Sequence, residues 1–170
     1  MIITITGLPG SGKTTVAKEL ARHLHIKCYA LGNLFRKIAK QKRTSVLDLT
    51  KRGELMQYMD NLTINIAKNH KNVIIDSRMG AYLIKNADAR IYLHASLKKR
   101  ISRMAKRDKK SYQTTLKETL SRERQELRHY KERYGTTYQN KRLYNIILNT
   151  ENLIIEETTK KLINKINKLK

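Results

Sequence analysis

The chain has 170 residues, with 37 Lys and Arg against 14 Asp and Glu, for a formal net charge of +23 at neutral pH. That length fits one domain with a real core, and no apolar run approaches the roughly 18 residues that would span a membrane. The single cysteine, Cys28, excludes an internal disulfide and fits a reducing cytoplasm.

The basic excess would attract polyphosphates, or nucleic acid at low salt. The Lys and Arg residues are spread along the whole chain, however, and not gathered in one stripe. Specific nucleic-acid recognition is therefore not expected. No Cys/His cluster has zinc spacing, and with the N-terminus running straight into a core strand no secretory leader is expected.

Ile2, Ile3 and Ile5 predict a strand over 2–6. The next residues, Gly7-Leu8-Pro9-Gly10-Ser11-Gly12-Lys13-Thr14, fit G-x-x-x-x-G-K-[ST] at every specified position. Val16, Ala17, Leu20, Ala21 and Leu24 then predict an amphipathic helix over 13–24. Strand, loop and helix in that order are the context that makes the motif a phosphate-binding loop. Its glycines let the backbone approach an anion, and its N–H groups point inward at the positive end of the helix. Lys13 can reach the β- and γ-phosphates of a nucleotide, and the Thr14 hydroxyl can ligate Mg²⁺. Pro9, the only proline, stiffens the loop.

Further strands are predicted over 26–30, 72–76, 89–94 and 144–149. Helices are predicted over 32–42, 45–70 with a break near Gly53, 79–86, 96–107, 111–134 and 152–168. The alternation implies an α/β, three-layer fold: a five-stranded parallel sheet with helices on both faces and ligands at the carboxyl ends of the strands.

Two segments converge on that edge. One is Leu31-Gly-Asn-Leu-Phe-Arg36. The other is Val73-Ile-Ile-Asp-Ser-Arg78. Asp76 at the end of a buried strand can hold Mg²⁺ through water, or else cap the following helix. Arg78 can clamp a phosphate with two parallel hydrogen bonds, or else sit in a surface ion pair.

A third segment, 100–133, is rich in arginine. Arg103 and Arg107 share a helix face, as do Arg124 and Arg128. Tyr112, Leu116, Leu120, Leu127, Tyr130 and Tyr134 form one apolar stripe, with Arg122 on the side away from Arg124 and Arg128. Glu123 falls inside that stripe and requires a basic partner. The alternative is a solvated, charged helix.

These segments together resemble the archaeal-type (type 2) cytidylate kinases, within the nucleoside monophosphate kinases. The resemblance is carried by Gly7–Thr15, Gly32-Asn-Leu-Phe-Arg36, Asp76-Ser-Arg-Met-Gly80 and Ala87-Asp-Ala-Arg-Ile-Tyr-Leu93. It continues through Arg122-Glu-Arg, Tyr130-Lys-Glu-Arg-Tyr-Gly135 and Tyr144-Asn-Ile-Ile-Leu-Asn-Thr150. It implies phosphoryl transfer from ATP, with Mg²⁺, to CMP or dCMP by a cytoplasmic monomer.

Carried across, the resemblance assigns Gly7, Leu8, Pro9, Gly10, Ser11, Gly12, Lys13, Thr14 and Thr15 to the ATP phosphates. Gly32, Asn33, Arg36, Asp76 and Arg78 fall to the acceptor, and Arg103 and Arg107 to the ATP side of a lid. Arg122, Arg124 and Arg128 would supply charge to the transferring group. The whole chain, 1–170, is then one kinase domain, with an acceptor-binding helical region over about 32–70 and a lid over about 107–135.

Lys13 stands where many type 2 relatives have Thr. Asn33 and Asp76 stand where relatives often have an acid and Glu. Another small P-loop kinase, with an adenylate or small-metabolite acceptor, is the second reading. A basic RNA-associated ATPase factor is the third.

Overall fold

The computed structural model describes residues 1–51 and 53–169. Strands β1 (Ile2–Gly7), β2 (Lys27–Ala30), β3 (Val73–Asp76), β4 (Ala89–His94) and β5 (Ile146–Asn149) form one parallel sheet in the order β2-β3-β1-β4-β5. β1 is central, with Ile3 beside Ile74 of β3 and Ala89 of β4. Parallel neighbours need long crossovers, and helices on both faces supply them.

Alternation along the strands divides the core into two. On one face Ile3, Ile5, Ile91 and Leu93 meet Val16 and Leu20 of α1 (Lys13–Leu24) and Leu162 and Ile166 of α8 (Ile155–Asn167). On the other, Val73 and Ile75 meet α2 (Leu31–Gln41), α3 (Val46–Lys51) and α4 (Gly53–Lys68) through Leu31, Phe35, Leu49, Met59 and Ile66. α1 and α2 thus leave the carboxyl edge to opposite faces. The ends of β1 and β3 open a crevice between them, the usual ligand position in such sheets.

α5 (Gly80–Leu83) is shorter than the 79–86 expected, because Ala87 N–H donates to the Ile84 carbonyl and turns the chain into β4. The expected break near Gly53 falls at position 52, outside the described residues; α3 is described to Lys51 and α4 from Gly53. α6 (Leu97–Asp108) and α7 (Tyr112–Tyr134) follow β4, each capped by a serine: Ser96 accepts from Lys99 N–H and Ser111 from Thr114 N–H. Such caps satisfy otherwise orphaned donors. A 3₁₀ turn over Lys141–Leu143, not foreseen in the sequence, precedes β5.

The first half of α7 corrects the sequence reading, while Leu127, Tyr130 and Tyr134 of the expected stripe do pack into the core. The buried residues of the helix are Thr115, Thr119, Glu123, Glu126 and Tyr130, while Tyr112 and Leu120 of the supposed apolar stripe are exposed. Side-chain charge sets the orientation. Two arginines lie under the helix, the buried Arg100 of α6 and the half-buried Arg78 after β3. Each turns a carboxylate of α7 inward.

Candidate active site

The loop between β1 and α1 is shaped by its glycines. A Cβ on Gly7 would lie 2.1 Å from the Leu93 carbonyl oxygen, so only glycine lets β1 pass so close to β4 at this point. Gly12 caps α1 at φ 91°, in the left-handed region that side chains rarely adopt. The loop carbonyls are tied down by long-range donors. Arg100 Nη1 donates to the Pro9 carbonyl at 3.0 Å and to Glu123 Oε1 at 2.6 Å. Arg78 Nη1 donates to the Gly7 carbonyl at 2.8 Å.

Lys13 is half-buried, and its Nζ donates to the Leu8 carbonyl at 2.9 Å. Burial, joined by the positive field of Arg78, pulls its ammonium down to about 7, against the opposing pull of Asp76. A phosphate beside it would restore the charged form. Thr14 Oγ1 donates to Asp76 Oδ2 at 2.6 Å, joining the start of α1 to the end of β3. Asp76 is therefore bonded to the phosphate loop and does not cap α5, whose N-cap is Met79 with no side-chain bond.

A hydroxyl and a carboxylate are hard oxygen donors of the kind Mg²⁺ takes when phosphates and water complete its octahedron. Among the described residues no group of three or more His, Cys, Asp or Glu could hold a metal alone. The buried Ser11 and Ser77 hydroxyls have no hydrogen-bond partner among the described residues.

One cavity of about 900 Å³ joins the loop to the walls formed by α2, α4, α6 and α7. Pro9 to Thr15 line its floor, and the cations Lys13, Arg36, Arg78, Arg103, Arg107 and Arg122 surround it. Arg36, half-buried, donates to Asn33 Oδ1, and Gly32 and Asn33 line the same wall. Burial, then the charges of Arg107 and Arg122, lower the Arg36 guanidinium, so arginines from three elements share one field. Arg103 holds the Thr150 carbonyl at 2.8 Å, and Thr150 Oγ1 in turn donates to the Ser11 carbonyl at 2.9 Å. Arg107 forms a two-pronged pair with the adjacent Asp108.

Arg78 does not point out as a free clamp. Its Nε donates to Glu126 Oε2 at 2.9 Å, and its guanidinium lies 5.3 Å from the centre of the Tyr138 ring. Glu126 also accepts from Arg122 Nε at 2.8 Å and from the Tyr138 hydroxyl at 3.1 Å. Burial would raise this carboxyl, but Arg122 and Arg78 outweigh it and hold it at about 2. Glu126 was not foreseen as a site residue. The requirement of Glu123 for a base is met by Arg100, itself also unforeseen.

Arg124 and Arg128 are the correction on the lid side. Both are exposed, Arg128 faces Glu132 at 3.9 Å, and neither lines the cavity. They sit on the flank of α7 that turns outward once Glu123 and Glu126 turn in. Gly7 and Leu8 support the loop from behind, through the bonds to their carbonyls, without lining the cavity.

A phosphate loop at the end of the central strand, a Thr–Asp pair beside it and a ring of cations define a P-loop phosphotransferase. Residues 3–129 match the AAA domain family. Over 94% of this chain and 92% of the relative, the sequence is 36% identical to a cytidylate kinase of Sulfurisphaera tokodaii. It is 35% identical to that of Archaeoglobus fulgidus, over 88% of this chain and 86% of the relative. The chain belongs to the archaeal-type cytidylate kinase family. A shikimate kinase from Bacteroides thetaiotaomicron superposes with a TM-score of 0.61 over 98% of both chains at 17% identity, a likeness of fold alone.

Proposed function

We propose that the protein transfers the γ-phosphoryl group of ATP to CMP or dCMP, giving ADP and the diphosphate. The observation that carries this reading is that one cavity is lined by both the phosphate loop and Arg36, Arg78 and Arg122. An acceptor phosphate oxygen attacks the γ-phosphorus, and the bond to the β–γ bridging oxygen breaks as ADP leaves. A phosphate monoester is already an anionic nucleophile, so the site needs positioning and charge and no dedicated base.

Lys13 and the loop N–H groups hold the donor phosphates, while Arg36 holds the acceptor phosphate and Arg78, paired with Glu126 and the Gly7 carbonyl, adds its charge beside it. Arg122, with Arg103 and Arg107 on α6, neutralises the charge that spreads over the transferring group. Thr14 and Asp76 would hold Mg²⁺, which would supply further positive charge to the transferring group. The segment 107–135 would close over the cavity and exclude water, which would otherwise hydrolyse ATP. The same reading makes the protein a cytoplasmic monomer. No helix among the described residues is long and apolar enough to cross a membrane, and the half-buried Cys28 is a free thiol.

The test is ADP release from ATP and Mg²⁺ with CMP, dCMP, UMP, AMP, GMP or no acceptor. Turnover led by CMP and dCMP is expected. Turnover led by a purine or a non-nucleotide acceptor would replace the reading with another small P-loop kinase. Acceptor-independent turnover raised by RNA would replace it with an ATPase factor.

A further inference from the structure

Asp60 of α4 has no role in the chemistry above, yet it is buried and lines the same cavity. The other carboxylates on that wall are committed. Asp76 is bonded to Thr14, Glu126 to two arginines and a tyrosine, and Glu19 to Arg22. Asp60 has one hydrogen-bond partner among the described residues, the Tyr134 hydroxyl, which donates to Oδ2 at 2.9 Å. That bond fixes the plane of the carboxyl and leaves Oδ1 available. The cavity it lines is also lined by the buried apolar side chains Met56, Met59, Phe35 and Tyr130.

The spacing suits a nucleotide. α7 holds Arg78 through Glu126 and Asp60 through Tyr134, two turns apart, or about 12 Å along the axis. Arg78 and Asp60 both line the cavity that holds the phosphate loop.

We propose that Asp60 is the specificity-determining residue that reads the acceptor base, its Oδ1 accepting a hydrogen bond from the exocyclic amino group of cytosine. The inference rests on the pyrimidine-kinase reading above. A carboxylate oxygen accepts from the cytosine N4 amino group. Uracil presents a carbonyl oxygen at the same place, which would face the carboxylate lone pairs with no proton between them. A buried acceptor left unpaired in this way is costly, and sites built around such a bond reject the analogue that lacks it. Burial pushes the Asp60 carboxyl up to about 6, against the pull of Tyr134 and Arg133, so it is ionised in assays run well above that value.

The test compares kcat/KM for CMP and UMP in the wild-type protein and in Asp60→Asn. The variant amide can offer an N–H to the uracil carbonyl, so the CMP-over-UMP ratio should fall by about 10-fold or more, with the KM for ATP unchanged. A purely structural role would depress CMP and UMP together and leave the ratio intact, which would overturn the proposal.

A second measurement needs no variant. On the wild-type protein, the nucleotide of 2-pyrimidinone, which lacks any group at C4, should fall between CMP and UMP, because it loses the bond without adding the repulsion. Equal use of CMP and the pyrimidinone nucleotide would also overturn the proposal. If the wild type makes CDP but these ratios do not move, the base reader alone is wrong. If no pyrimidine supports turnover, the kinase reading and the proposal fall together.

Discussion

The two halves of the cavity are built in different ways. The donor half is backbone: glycines at Gly7 and Gly12, inward N–H groups and a helix terminus, with Lys13 and Thr14 added at fixed offsets. The proposed acceptor half is a network of side chains, in which carboxylates of α7 hold Arg78 and Arg100 from elsewhere in the chain and Arg122 of α7 itself. A backbone site is specified by a short contiguous motif and tolerates little drift. A network site is specified by pairings across long separations, and each member depends on the others.

That contrast predicts different failures in the two halves. The largest effect is expected at the loop. Lys13→Ala should lower kcat by at least about 100-fold, or about 2.7 kcal/mol of barrier, with the thermal transition little changed because the ammonium only spans its own loop. Near-normal turnover in a folded variant would remove the loop from catalysis.

Glu126→Gln should act on both function and stability, since it leaves Arg78 and Arg122 without their anion. The sign of the pH dependence follows from the depressed carboxyl. Its contribution is fully present above the ordinary carboxylate value and is lost as pH falls from about 4.5 towards 2. Wild-type stability should therefore drop steeply through that window, and the variant, less stable at neutral pH by on the order of 3 kcal/mol, should show a flatter profile. Parallel acid profiles in denaturant titrations would contradict the assignment of Glu126 as the hub.

The smallest effect is expected for Arg124→Ala combined with Arg128→Ala. Both residues point away from the cavity, so kcat/KM should stay within about two-fold, as for most exposed positions. A loss of ten-fold or more would mean that α7 turns its outer flank inward during the reaction.

The donor half was legible in the sequence because its chemistry is local. The loop pattern, the strand before it, the helix behind it and Asp76 at the end of a buried strand all lie where short-range reading places them. The sheet was legible for the same reason, with strand ends off by a residue or two. The acceptor half was not. Arg78 meets Glu126 across 48 positions and Tyr134 meets Asp60 across 74, and no local pattern announces such pairs. In a chain with 37 basic residues, the few that matter do not stand out. The α7 stripe misled because hydrophobicity alone favoured Tyr112 and Leu120 as the inner face. The real inner face is set by the charge needs of Arg78 and Arg100. Glu123 was the one signal that could be read, since a carboxylate in a helix face that packs inward demands a cation.

The most direct test of the division between the two halves is a pair of titrations on Glu126→Gln, one of ATP and one of CMP, set against the wild-type protein. The account predicts that the affinity for CMP falls by about ten-fold or more, as for loss of a buried charged partner, while that for ATP stays within about two-fold. An equal loss for both nucleotides, or a loss for ATP alone, would mean that α7 serves the donor phosphates and that the acceptor site lies elsewhere in the cavity.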